Sequence, residues 1–135
     1  MTKIERFEDI EAWKAARDLT SKIYRLTGEG IFSRDFGLCD QLRRAAVSVM
    51  SNVAEGFERG GDKEFLQFLS LAKASCAEVR SHLYIALDQA YLTHKQFEEL
   101  TQQAETVGKM LAGFMSYLRK SEYRGNKFRE PKDPK

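Results

Sequence analysis

Phe65-Leu-Gln-Phe-Leu-Ser-Leu-Ala-Lys-Ala-Ser-Cys-Ala-Glu-Val-Arg-Ser-His-Leu-Tyr-Ile-Ala-Leu-Asp-Gln-Ala90 is the stretch whose spacing decides the fold. Phe65, Leu69, Ala72, Cys76, Val79, Leu83, Ala86 and Ala90 advance by fours and threes, which puts them on one side of a 3.6-residue helix for about seven turns. Outward from it the same rhythm recurs. Phe97, Leu100, Ala104, Val107, Leu111, Phe114 and Leu118 keep it on the C-terminal side. Leu42, Ala46, Val49 and Val53, and before them Ala12, Ala16, Leu19, Ile23 and Leu26, keep it on the N-terminal side. No comparable run alternates with the period of a strand. Both prolines, Pro131 and Pro134, fall in the last five residues, so the rest of the chain can form long helices.

The punctuation agrees. Asp9 predicts a cap for the first helix, and Gly28 and Gly30 its end. Gly60-Gly61 before Asp62 separates the second helix from the third. Thr93-His94-Lys95-Gln96 has the capping-box spacing that starts the fourth. These signals predict helices at about 9–27, 36–58, 62–91 and 94–119. Links as short as the last two force antiparallel neighbours, hence an all-α, up-down-up-down antiparallel four-helix bundle over residues 1–118.

Residues 119–135 differ in charge. They hold seven basic residues against three acidic ones, a local +4, whereas the whole chain is +2 and its first 118 residues therefore −2. Arg119, Lys120, Arg124, Lys127 and Arg129 interleave with Tyr123 and Phe128, a pattern suited to phosphates and unpaired bases and equally to docking of the two rings on the bundle. This segment is predicted to be a basic, solvated C-terminal tail and a candidate contact for RNA or DNA.

Little else carries chemistry. Cys39 and Cys76 have neither disulfide nor metal spacing and fit a reducing cytoplasm. His82 and His94 sit four residues from Glu78 and Glu98, not the three of a bundle metal motif. Phosphate-binding and nucleophile motifs are absent from the sequence, as is an apolar run after the N-terminus of the kind a signal peptide or membrane span needs. The reading therefore expects no enzyme, cofactor, metal or membrane.

Two features remain. The row Gln41, Arg44, Ser48, Asn52, Glu55 on the second helix is polar but rich in short side chains, which predicts a hydrogen-bonded network between helices or subunits. Reflection about Gly60-Gly61 makes Glu78 the expected ion partner of Arg44. On the third helix Leu71, Ile85 and Leu92, with Tyr84 and Tyr91 beside them, form a second apolar stripe that predicts an oligomer interface.

Phe7-Glu-Asp-Ile10 with Trp13, Gln41-Leu-Arg-Arg-Ala-Ala-Val-Ser48, Asn52-Val-Ala-Glu-Gly56, Glu64-Phe-Leu-Gln-Phe-Leu69 and Ser75 with Glu78 resemble the bacterial four-helix-bundle family of 23S rRNA intervening-sequence proteins. The accessory protein of diversity-generating retroelements is a relative of that fold. The resemblance spans about Phe7 to Leu118. It implies a cytoplasmic homopentamer without known catalysis and, from the retroelement relatives, binding of nucleic acid and of a protein partner such as a reverse transcriptase. Together these readings describe an oligomeric interaction or scaffold protein, in its most concrete form a nucleic-acid accessory factor. The alternatives are a protein-only adaptor and a small-molecule enzyme built on the polar row.

Overall fold

Glu11–Thr27 (α1), Phe36–Arg59 (α2), Asp62–Asp88 (α3) and His94–Tyr123 (α4) are the helices of the computed structural model, which describes residues 3–123, with side chains as far as Lys120. Single 3₁₀ turns at Phe7–Asp9 and Gly30–Arg34 precede α1 and α2. Each helix packs on the next and α4 closes back on α1, giving the antiparallel four-helix bundle that the spacing predicts. Among the described residues there is no strand.

The apolar rows meet in two layers. Val53, Phe65, Leu69, Leu111 and Leu118 fill one, and Leu19, Leu42, Val79, Leu83 and Leu100 the other. All ten are at most 3% exposed, so the rhythm of four and three marks the true core.

The helix ends show how the layers are joined. Gly60 ends α2 at φ 84°, a left-handed conformation that lets α3 start two residues later. Thr93 and Gln96 exchange the two bonds of a capping box, at 2.9 and 3.0 Å. Asp35 caps α2 by accepting from the Leu38 amide at 3.1 Å, and its other oxygen accepts the Tyr91 hydroxyl at 2.9 Å.

Three local expectations are corrected. Asp9 does not cap α1: the helix begins at Glu11 after Ile10, and the Asp9 carboxylate turns back to accept from the amides of Glu5 and Arg6 at 2.9 and 3.2 Å. Those amides hold its carboxyl below the usual range, the Glu5 bond most of all. Helix α3 stops at Asp88 because Ala90 is left-handed at φ 62°. The Tyr91 amide then reaches the Ala86 carbonyl and the Ala90 amide that of Leu87, both at 2.9 Å, which is a Schellman closure. Ala90 is exposed, not the last member of the core row.

Candidate functional site

The outer side of the α2–α3 pair carries most of the polar row, and it divides in two. Ser48 Oγ and Ser75 Oγ lie 2.9 Å apart and tie α2 to α3. Asn52 Nδ2 donates to the Ser48 carbonyl at 2.8 Å and to Ser48 Oγ at 2.9 Å. Ser75 is buried and the other two are half-buried. Beside this knot Gly56 lets the helices touch: a Cβ there would stand 2.6 Å from Phe68 Cβ and 2.8 Å from Phe65 Cδ1. Ser48, Asn52 and Gly56 thus follow one another along the contact of α2 with α3. Small polar residues stand there because the two helices leave no room for larger ones.

The charged ends of the row go elsewhere. Arg44 is exposed and donates to Asp40 at 2.9 Å, one turn back on its own helix. Glu55 pairs with Arg59 at 3.1 Å, and Arg59 lies 5.0 Å over the Phe68 ring. Glu78 is exposed beside His82, at 3.5 Å. The expected Arg44–Glu78 pair is therefore absent, and each of the two lies beside a neighbour one turn away on its own helix. Long side chains on an open face reach the nearest opposite charge, one turn away, sooner than a partner across the groove. With Arg44 and Glu55 turned outward, the row does not converge on a common point.

Ser75 is the member of this site that the helix 2 pattern by itself does not reach. A second polar tie, between α1 and α2, was also not singled out in sequence. Arg43 Nε donates to Thr27 Oγ1 at 2.8 Å, and its guanidinium lies 4.4 Å over the Tyr24 ring. Cys39 points its thiol at the Phe32 carbonyl, 3.1 Å away, and burial pushes its pKa up. Burial pushes Cys76 up to about 11, so both thiols are protonated at neutral pH.

The second apolar stripe also divides. Leu71, Tyr84 and Ile85 are 54, 57 and 45% exposed on the outside of α3. Leu92 is buried, and half-buried Tyr91 stacks on Phe32 at 5.0 Å while it bonds Asp35. The left-handed turn at Ala90 swings these two into the protomer, which removes them from the expected interface. A different apolar group is exposed on the α1–α2 flank. Phe36 is 79% and Ile31 67% exposed, accompanied by Tyr24 and Val47.

Of the tail residues, Arg119 and Lys120 are exposed on the last turns of α4. Tyr123 is the last described backbone position, and Arg124, Lys127, Phe128 and Arg129 lie outside the described residues. Two adjoining cavities of about 340 and 410 Å³ run between α3 and α4 and share Lys73, Ala77 and Ala112. A third, of about 380 Å³, lies between α1 and α4, where Gln103 bridges Lys22 and Asp18. Among the described residues no three His, Cys, Asp or Glu side chains gather as a metal site would require, and no helix is long and apolar enough to cross a membrane.

A crystal structure of a protein with unknown function from the S23 ribosomal protein family of Bacteroides thetaiotaomicron has the same fold, with a TM-score of 0.71. The two are 18% identical, and the match covers 77% of this chain and 97% of that one. No curated protein matches the sequence. The sequence matches the family described as 23S rRNA-intervening sequence protein over residues 8–113, from the Phe7–Asp9 turn through the Ser48–Asn52–Ser75 knot and most of α4. The chain belongs to the 23S rRNA-intervening sequence protein family.

Proposed function

We propose that this protein is a non-enzymatic interaction bundle that works in the cytoplasm as a homo-oligomeric ring, a pentamer as the family resemblance implies. One observation carries the reading: two separate apolar groups are open to water on one small protomer. Tyr24, Ile31, Phe36 and Val47 form the first, and Leu71, Tyr84 and Ile85 the second. Large exposed apolar patches on a soluble chain mark contact surfaces. Two unlike patches suit a head-to-tail contact, in which the first patch of one copy covers the second of the next and the ring closes. Light scattering at micromolar concentration should give a multiple of 15.5 kDa; a mass of 15.5 kDa overturns the reading. Ile85→Glu should release folded monomers, since a carboxylate desolvated in the contact costs several kcal/mol, of order 3–5.

A nucleic-acid role for such a ring, with or without a protein partner such as a reverse transcriptase, rests on Arg119 and Lys120. They lead from α4 into the basic segment, and five copies would gather their charge. RNA or DNA affinity should then fall steeply with salt and be lost when the chain is cut after Leu118. Equal affinity of the cut and full chains would leave the protein-only adaptor.

A further inference from the structure

Gly108 stands in the middle of α4, where a glycine weakens a helix by about 1 kcal/mol relative to alanine. Nothing in the protomer requires it: a Cβ built there meets no atom within 4 Å. It opens instead onto the trough between α3 and α4. There Ala77, Gly108 and Ala112 form a floor of small side chains, with the buried Cys76 beneath. The walls are cationic on both sides. Lys73 and Arg80 rise from α3, and Lys109 and Arg119 from α4.

Glu105 is the single acidic residue lining the two cavities, and it pairs with Arg80 at 3.7 Å. Lys73 and Lys109 have no carboxylate within 4.0 Å among the side chains described, which run to Lys120. Lys73, Arg80 and Lys109 against Glu105 thus gather +2 on a body whose first 118 residues sum to −2, and Arg119 adds one more at the end of the trough. The α1–α4 cavity shows no such excess, since Lys22 there faces Asp18 and Glu99.

From this arrangement we infer that the α3–α4 trough is a docking groove for an acidic amphipathic helix of a protein partner. Small residues on the floor allow a third helix to settle close between two others, and the lysine and arginine walls complement carboxylates flanking its apolar stripe. The register of the antiparallel pair puts Arg80 at one end and Arg119 at the other, about 14 residues of α3 apart. At 1.5 Å per residue that is about 21 Å, or four turns of a docked helix. A nucleic acid fits less well. It would leave the apolar floor uncovered, find no aromatic side chain in the lining to stack on, and set its phosphates beside Glu105. The groove is independent of the two patches argued for the ring, so either can fail without the other.

The test uses the full chain and a fluorescein-labelled, N-acetylated 21-residue peptide with Leu and Ala in one helical stripe and Glu along both flanks. Fluorescence anisotropy should show binding that weakens at least tenfold in Lys73→Glu/Lys109→Glu. The same loss should occur in Gly108→Leu, which fills the floor without touching a charge and has open space in the protomer. Lys14→Glu, a charge change on α1, should bind like the parent chain. A counterpart peptide with Lys on both flanks should not bind. Failure of the Glu-flanked peptide to bind overturns the proposal, as does parental affinity in Gly108→Leu. Tighter binding of a 20-nucleotide oligouridylate, lost in Lys73→Glu/Lys109→Glu, also overturns it and makes the trough a phosphate groove.

Discussion

A methyl group at Gly56 would meet Phe68 Cβ at 2.6 Å, next to backbone that cannot rotate away, so Gly56→Ala must push α2 and α3 apart. Overpacking of this kind costs about 1–3 kcal/mol, reduced by the roughly 1 kcal/mol that alanine gains over glycine in a helix. Urea unfolding should therefore show a net loss of up to about 2 kcal/mol at unchanged helical content. Ala90 is the opposite case. Its φ of 62° costs an alanine about 1 kcal/mol that glycine escapes, and part of the gain is returned through the freer unfolded chain. Ala90→Gly should raise stability by about 0.5 kcal/mol, and an unchanged urea midpoint would count against the Schellman closure. Titrating groups add a pH dependence. Burial raises Cys76 to about 11 from an ordinary value near 9, and the bond to Asp35 raises Tyr91. In both the folded state holds its proton longer than the unfolded one. The Cys76 contribution is complete below about pH 9 and is lost as the pH climbs past 9 toward 11, and that of Tyr91 is lost as the pH rises beyond the ordinary tyrosine range. The alkaline fall in melting temperature should become shallower in Cys76→Ser and again in Tyr91→Phe, since each variant lacks one of the groups whose deprotonation drives it.

Periodicity revealed the helices because each buries one stripe, and a buried stripe must recur every three or four residues. The same logic misplaced the end of α3. Ala90 continues the rhythm, yet Tyr91 is needed at Phe32 and Asp35, and only a left-handed residue between them turns the chain that far. An alanine carries no local sign of that conformation. The candidate site was legible to the extent that short residues mark close contact: Ser48 and Asn52 lie between α2 and α3 as read. Arg44, Glu55 and Glu78 were misplaced because long side chains choose partners by reach, which spacing about a turn does not determine. Reflecting Ser48 about Gly60-Gly61 lands at position 73, two residues short of Ser75, so the hydroxyl partner was legible only to within half a turn. The knot makes a prediction for this pair of helices. Asn52→Ala removes two donated bonds and Ser75→Ala one shared bond, each worth about 1 kcal/mol. Because both act through Ser48, the double variant should lose less than the two single losses together; strict additivity in denaturant titrations would mean that the three groups are not coupled.

The surface of the protomer raises the question of symmetry, which separates the ring from other ways of covering apolar residues. A two-fold dimer would use one patch on both copies, so a charge in that patch would disable every pairing. A ring uses two patches, and each single variant keeps one of them intact. Phe36→Glu blocks the α1–α2 flank and leaves Leu71, Tyr84 and Ile85 free; Ile85→Glu does the reverse. Both substitutions fall on side chains already 79 and 45% exposed, so the fold should survive them. Each variant alone should sediment as a monomer. Mixed in equal amounts, they should form a heterodimer of two copies and stop there, because the contact that forms consumes the only intact pair of patches. Analytical ultracentrifugation of the mixture distinguishes the cases: a 1:1 species of twice the protomer mass supports head-to-tail assembly. One variant that dissociates while the other stays assembled points to a two-fold contact through the altered patch of the first, and variants that each remain fully assembled place the contact elsewhere on the bundle.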